Sequence, residues 1–369
     1  MVSLGSSLKG GNRKIWRDVE RKVAESDPDY FFGFNMEPLV RNVEKEFFVL
    51  AIDGDYAGRG ISALDKNWMG RTVGFIDDFM ICEAYRKDAD LLIDRCLSSL
   101  KVKGALAVMA RGGLFPAIQT KGYKETPPFG CPHNPPWYAD LFERNGFSPT
   151  RRFVNYRIEI PKILLDGKVG KDLTDEEGRE IRELKRRKRE ELKKYIEIMS
   201  EASFARFFGW DTAGIEMGKR PSRTRLLLNG LLTHIVRYKT FCTFENGKMI
   251  GCTTIHPDYN AILKNLTAGK RGVKTGIKLL GFPFALRKAE RYVFGGTAQI
   301  KEARGKGYGE AKMVWGVYNI IPLLGNVKEF DTGPIVEENL PPIKMVKALV
   351  GEEGVKQMDY MMMSYEVKA

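Results

Sequence analysis

The sequence predicts a two-domain α/β protein in which one unit, a mixed sheet flanked by helices, occurs twice. Three observations carry this. The chain has 369 residues, beyond the roughly 250–300 at which a single hydrophobic core stops growing. Its composition, 43% apolar and 29% charged, is that of an ordinary globular protein. Three local patterns recur in the same order in both halves, the mark of an internal duplication.

The first pattern is a hairpin. Residues 47–64 (FFVLAIDGDYAGRGISAL) and 241–256 (FCTFENGKMIGCTTIH) each set Asp53-Gly54 or Asn246-Gly247 between β-prone runs, with a further glycine four residues on, Gly58 or Gly251. Asn-Gly and Asp-Gly supply the positive φ that tight hairpin turns require. The second pattern is a strand (74–80 and 291–300) leading into an arginine and then a helix. With Arg86 set opposite Arg304, Ile93, Cys96, Leu97 and Leu100 fall in the register of Ala311, Val314, Trp315 and Tyr318. That i, i+3, i+4, i+7 spacing is the apolar stripe of a helix. Short strands follow at 105–110 and 327–332. The third pattern is Asn134-Pro135-Pro136 against Asn339-Leu340-Pro341-Pro342. Each precedes an expected helix, since proline suits a first turn, and these helices are expected to end near Gly146 and Gly351. A final strand is expected near 359–367. The expected domains are residues 1–160, a charged helical connector at 161–205, and residues 206–369.

Composition also narrows the function classes. No run approaches 18 apolar residues, so a membrane span is not expected. Met1 to Gly11 has no apolar signal core. Five scattered cysteines (82, 96, 131, 242 and 252) read as free thiols of a reducing compartment, and the expected location is the cytoplasm. The net charge of +13 suits either a polyanion or a phosphate-bearing cofactor. Much of it lies in Arg182–Lys194 (RELKRRKREELKK), which reads first as an exposed helix laced by i,i+4 pairs. Nucleic acid, membrane surface or a partner protein is the lesser reading.

Arg304-Gly305-Lys306-Gly307-Tyr308-Gly309 lies between a strand and a helix. Successive glycines let several N–H groups converge, the helix start adds positive potential, and Arg304 and Lys306 add charge. The turn suits a pyrophosphate, although a glycine-rich turn with solvated basic side chains is an equal reading of the six residues alone. The pattern is neither a P-loop nor a dinucleotide fingerprint. Read through Arg304, Gly307 and Gly309 it fits R/Q-x-x-G-x-G/A and resembles the acyl-CoA pyrophosphate loop of the GNAT acyltransferase superfamily. The order of elements around it resembles a GNAT unit, twice, as in tandem GNAT-like proteins.

The resemblance implies two tandem GNAT-like domains, each a mixed, mostly antiparallel sheet whose central parallel strands splay apart, with helices on its faces. It implies acetyl-CoA or a longer acyl-CoA as cofactor, no metal, and N-acyl transfer to an amine, with a small metabolite favoured over a protein. The cofactor contacts it implies are Ala298, Gln299 and Ile300 on one splayed strand, Arg304 to Gly309 in the loop, and Asn339 beyond the other strand. The first half reads Arg86-Lys87-Asp88-Ala89-Asp90-Leu91 at the loop, without glycine and with two carboxylates facing any pyrophosphate. That half is expected to have lost cofactor binding.

The attacking amine must be neutral, and a lysine-like amine has a pKa near 10.4. Glu338, and second Glu337, are the candidate bases; solvated loop carboxylates are the competing reading. No tyrosine stands in the helix after Asn339 to protonate the leaving thiolate, which leaves Tyr360 or Tyr365 of the last strand. His256 reads as packed before it reads as catalytic. Cys131-Pro132-His133 has no second ligand pair at zinc spacing, and Trp137, Tyr138 and Phe142 read as core. Two alternatives stand behind the enzyme: a non-catalytic acyl-CoA-binding or scaffold protein, then a nucleic-acid binder using residues 182–194.

Overall fold

The structure is a computed structural model that describes residues 2–26, 43–68, 70–112, 115–159, 173–174, 179–184, 189–201, 239–267, 277–303, 324–350 and 355–367. In chain order its elements begin with β1 (Val2–Gly5), α1 (Gly10–Ser26), β2 (Val43–Ile52), β3 (Asp55–Trp68), β4 (Arg71–Ile81) and α2 (Ala89–Val102). Next come β5 (Ala107–Arg111), β6 (Ile118–Lys121), α3 (Tyr138–Arg144), β7 (Ser148–Glu159), β8 (Leu173–Thr174), β9 (Arg179–Glu183) and α4 (Arg189–Ser200). The chain then forms β10 (Lys239–Glu245), β11 (Lys248–Pro257), α5 (Tyr259–Thr267), α6 (Phe282–Arg287) and β12 (Arg291–Gln299). It closes with β13 (Glu329–Asp331), β14 (Ile335–Val336), α7 (Leu340–Val350) and β15 (Val355–Glu366).

The chain divides into two compact units whose boundaries interleave. Unit 1 holds Met1–Phe153, Leu263–Leu279 and Met358–Ala369; unit 2 holds Val154–Ile262 and Leu280–Gln357. In unit 1, β1 to β4 form an antiparallel run and β5 joins β4 in parallel. The strand expected to finish the second half is instead β15, which pairs antiparallel with β5 (Ser364 opposite Met109) and with β6. In unit 2, β9 to β12 are antiparallel neighbours, β13 joins β12 in parallel, and the 157–159 end of β7 pairs with β13. Each unit therefore takes a strand from the end of the other repeat. Chain order alone does not reveal this, because a last strand satisfies the same backbone bonds on either repeat.

The connector reading of 161–205 is corrected in part. Arg179–Glu183 is a strand that pairs with β10 as β1 pairs with β2, and α4 sends Ile198 and Met199 into a core with Cys242, Phe244 and Cys252. The second repeat thus starts earlier than expected. Nor is 182–194 one helix: Arg182 and Glu183 end β9 and the helix begins at Arg189. Arg182 is held by Glu180 at 2.6 Å and by both oxygens of Glu191 at 3.0 and 2.9 Å, 3.9 Å above the Phe244 ring. Those contacts bind one of the run's basic side chains to the fold.

The duplication extends to single backbone bonds. Both hairpins turn through left-handed residues (Asp53 at φ 49°, Asn246 at φ 50°), and both ladders slip by one residue just before Gly58 and Gly251. The residue left over is Ala57 in one copy and Ile250 in the other. Their carbonyls accept from the N–H groups of Cys82 (2.9 Å) and Ile300 (3.0 Å), which lie just past the ends of β4 and β12. A bulge makes a strand bend and re-aims what lies beyond it, so both copies inherit the same bend. The α2 stripe of Ile93, Cys96, Leu97 and Leu100 is buried as expected, in a core with Trp137, Tyr138 and Phe142. The matching residues 311–318 lie outside the described residues. No helix among the described residues is long and apolar enough to cross a membrane.

Candidate active site

The parallel pair β12–β13 is short. Arg291 lies opposite Glu329, Tyr292 opposite Phe330 and Val293 opposite Asp331, and there the ladder ends. Beyond this point the two strands follow different neighbours. β12 stays with β11 as far as Gln299; the other chain stays with β7, through the Thr332 N–H to Tyr156 carbonyl bond at 2.9 Å and then β14. The edge of β12 from 294 onward therefore has no strand beside it among the described residues. Ala298, Gln299 and Ile300 all lie on that stretch; Ala298 is buried and the other two half-buried.

A second bulge sits at the mouth. The β11–β12 ladder slips between Thr254 and Ile255, leaving Gly295 as the extra residue, followed by Gly296 at φ 141°. Gly333, at φ 71°, comes so close to β12 that a Cβ on it would stand 2.6 Å from the Phe294 carbonyl oxygen. Gly295 on β12 and Gly333 beyond β13 thus form the neck from which the strands diverge.

Unit 1 has the same neck, filled. β4 and β5 run parallel from Val73–Ala107 to Asp77–Arg111, and β4 then continues to Ile81 beside β3. Asp77 and Arg111 occupy the places of Gly295 and Gly333. They form a buried two-pronged ion pair, with Arg111 stacked 4.2 Å from the Phe75 ring. The segment at the position of the pyrophosphate loop is a 3-10 turn, Glu83–Asp88, running into α2. Its Arg86 lies over Trp137 and Asp90 is held by Arg144 at 2.9 Å and by Asn145. Asn134, the counterpart of Asn339, is buried and tied to both backbone groups of Gln119, and His133 Nδ1 meets Gln119 Oε1 at 3.2 Å.

The other sequence candidates fall as follows. Arg304, Gly305, Lys306, Gly307, Tyr308 and Gly309 lie outside the described residues. Glu337, Glu338 and Asn339 are exposed on the turn between β14 and α7, where the Asn339 N–H bonds the Val336 carbonyl at 2.9 Å. Tyr360 and Tyr365 belong to unit 1: Tyr360 is buried there with its hydroxyl toward the Met358 sulfur, and the Tyr365 hydroxyl accepts from Lys101. All five cysteines are free and buried, and burial pushes the Cys96 and Cys242 thiols up to about 12. That is wrong for a nucleophile. No metal-binding group occurs among the described residues.

Sequence reasoning missed the polar cluster at the base of the parting strands. Arg157 and Asp331, each with no exposed side-chain surface, pair at 3.1 Å, and Asn155 Nδ2 donates to the other Asp331 oxygen at 2.8 Å. Asp258, fully buried, accepts from the Asn260 N–H at 3.1 Å at the start of α5, and Arg291 lies 3.5 Å away. Burial, then the nearby Asp331 charge, raises the Asp258 carboxyl well above the usual range. Being raised, it stays protonated in the fold while the unfolded chain has lost its proton. Stability should then fall as pH rises from about 4, the unfolded value, until the folded carboxyl has ionised. Asp258→Asn keeps a good capping residue and removes this titration. Urea unfolding from pH 4.5 to 8 should show a flatter profile than wild type; parallel profiles would refute it.

Solved structures match this architecture. A tandem GNAT protein from the clavulanic acid biosynthesis pathway superimposes over 100% of this chain and 98% of its own, with a TM-score of 0.56 at 12% identity. The chain has a tandem GNAT fold. A GCN5-related N-acetyltransferase from Sphaerobacter thermophilus matches 88% of this chain and 81% of its own (TM-score 0.47, 13% identity). A GNAT-family acetyltransferase from Colwellia psychrerythraea matches 100% of both chains (0.46, 11%). No protein-family model and no curated protein matches the sequence. The likeness is one of fold.

Proposed function

We propose that the protein is an acyl-CoA-dependent N-acyltransferase that uses unit 2 alone for its cofactor and acts on a small amine. The observation that carries this is the glycine neck between β12 and β13, open where unit 1 has the Asp77–Arg111 pair. An extended pantetheine arm would take the place of the missing neighbour strand along Ala298 to Ile300. The Arg304–Gly309 turn would hold the pyrophosphate and Asn339 would add a side-chain contact. The bound thioester supplies the activated acyl carbon; the protein orients it and polarises its carbonyl through backbone N–H groups. Glu338, with Glu337 beside it, is the sequence-derived proton acceptor, and its exposure suits an outer relay to water. Five buried free thiols suit a reducing cytoplasm.

A second reading, a non-catalytic acyl-CoA binder, is favoured by one feature: α7 carries no tyrosine to protonate a leaving thiolate. Nucleic-acid binding ranks third. Titrating acetyl-CoA and a longer acyl-CoA into wild type and Gly307→Glu by calorimetry tests the first. Wild type should bind at least one thioester below about 0.1 mM, inside the ordinary substrate range. The variant, which would fill the proposed concavity and add a repelling charge, should lose at least tenfold with its circular dichroism unchanged. Failure of wild type to bind either thioester would remove the acyltransferase reading.

A further inference from the structure

The two repeats differ at one hairpin. In unit 1, β3 ends at Trp68 and β4 starts at Arg71; in unit 2, β11 ends at Pro257 and β12 starts at Arg291. Both strand pairs are antiparallel neighbours, so the fold asks only for a turn there and residues 258–290 are an insertion. Added length between paired strands costs little in loop closure, and such segments commonly carry function. The composition of this one is one-sided: residues 259–289 hold seven Lys and Arg and no Asp or Glu. At the chain's overall share, 47 acidic residues in 369, about four would be expected there.

Within unit 2 the last part of the insertion has two unlike sides. Leu286 and Ala289 are buried, and the Phe282 ring meets that of Tyr259 at a centroid distance of 6.5 Å. The other side is turned to water, with Leu280 76% and Phe284 67% exposed. Arg287 and Lys288 are exposed beside them, and the Arg287 guanidinium lies 5.9 Å from the Phe284 ring. Ile277 and Lys278, just ahead in the chain, are exposed too. The next acidic residue, Glu290, is already held by Lys328 at 2.7 Å. Single exposed apolar side chains are ordinary, but large ones set close together among cations mark a contact surface.

We propose that this segment docks the protein on the surface of a lipid bilayer that carries anionic headgroups. Leu280 and Phe284 enter the boundary between headgroups and acyl chains, and Lys278, Arg287 and Lys288 meet lipid phosphates. The cations alone would suit any polyanion. Leu280 beside Phe284 decides between polyanions, because an aliphatic side chain gains from burial only where hydrocarbon is on offer. A nucleic acid would use the cations and could stack on Phe284, yet it would leave Leu280 in water. The attachment is peripheral, since α6 has six residues and a span needs about 20. It holds whatever unit 2 binds at its neck, so it stands apart from the acyltransferase reading.

The test uses the full chain and two vesicle preparations, phosphatidylcholine alone and phosphatidylcholine with phosphatidylglycerol as one lipid in three. In co-sedimentation, wild type should bind the anionic vesicles about tenfold or more tightly than the neutral ones at about 0.05 M salt, and the difference should shrink at about 0.5 M. Lys278→Gln with Lys288→Gln should weaken binding to anionic vesicles about tenfold or more at the lower salt. Arg13→Gln with Lys14→Gln, which removes the same charge from exposed positions on α1, should cost less than about threefold. Adsorption by net charge alone would lose equally from either pair. Leu280→Ser with Phe284→Ser changes exposed side chains only, so urea unfolding should match wild type while vesicle affinity falls about tenfold or more at both salt concentrations. Phe284→Trp reports depth: its added emission should shift to the blue on anionic vesicles and be quenched by brominated acyl chains beyond the wild-type background. Equal losses from the two cation pairs would overturn the proposal. So would a wild type that binds neither vesicle, serine variants that bind as wild type does, or a Phe284→Trp emission that brominated lipid leaves unchanged. Tighter binding to a single-stranded oligonucleotide than to anionic vesicles, kept in the serine variant and lost in the Lys278/Lys288 variant, would also overturn it and assign the face to nucleic acid.

Discussion

An Arg157→Met variant is expected to lose about 3–5 kcal/mol of stability, the usual penalty for breaking a buried ion pair from one side. Arg157 and Asp331 are both sealed from solvent, at 3.1 Å, and Asn155 and Tyr156 anchor the same stretch of β7 to the 331–332 segment. Burial pushes the Asp331 carboxyl up while Arg157 works against it. Without the guanidinium, Asp331 must take a proton to remain buried. The folded variant would then hold a proton that the unfolded chain has released, so its deficit should widen as pH rises. Urea unfolding at pH 5.5 and 8 reads this directly. Adding Asp331→Asn to Arg157→Met should recover part of the loss and abolish its pH dependence, since a neutral amide can still bond Asn155. An equal deficit at both pH values would mean that lost packing, not the stranded carboxylate, is responsible.

The place of that pair in the fold shows why part of the architecture was legible in the sequence and part was not. Local signals held wherever one residue decides a backbone conformation: Asp53-Gly54 and Asn246-Gly247 turn as their φ preferences require, and the glycines four residues on mark bulges. The α2 stripe was equally plain, because helical periodicity reports a buried face without reference to any partner. Strand exchange left no such trace. Nothing in Met358–Glu366 distinguishes pairing with β5 from pairing with β13, since backbone hydrogen bonds are the same for every sequence. The charged run misled for a related reason: Arg182 and Glu183 look like helix surface, yet alternation along β9 places Arg182 over Phe244, where its stem is covered and its charge is met by Glu180 and Glu191.

The candidate site divides similarly. The loss of glycine at Arg86–Leu91 announced that the first repeat differs, but the plug itself, Asp77 with Arg111, joins residues on separate strands and becomes visible only once β4 and β5 are in register. The same holds for Asp258, Asp331, Arg157 and Asn155, whose chain positions give no hint that they share one buried cluster. His256 was visible as a residue, though not as a neighbour of the bulge, where a Cβ on Gly295 would stand 3.4 Å from Nε2 of its buried ring. The signal that could have singled it out is Gly295-Gly296 inside a strand run, since glycine there marks a bulge or a close approach.

That neck also yields a prediction in which strain and steric closure separate cleanly. Gly333 and Gly325 both sit at positive φ, 71° and 91°, but a Cβ on Gly325 would meet nothing within 4 Å, whereas one on Gly333 would press on the Phe294 carbonyl oxygen at 2.6 Å. Alanine at either position meets the left-handed penalty of about 1–2 kcal/mol. Only at position 333 must backbone also move, either β12 at Phe294 or the segment that follows β13, adding about 1–3 kcal/mol. The movement falls where the two strands diverge, so it alters the width of the opening an acyl-CoA arm would enter. Gly333→Ala should therefore be at least about 1 kcal/mol less stable than Gly325→Ala and bind acetyl-CoA at least tenfold more weakly than wild type, while Gly325→Ala binds as wild type does. Equal affinities in the two variants, with Gly333→Ala folded, would show that the glycine neck does not shape the cofactor cleft, and the contrast with the Asp77–Arg111 plug of unit 1 would lose its functional meaning.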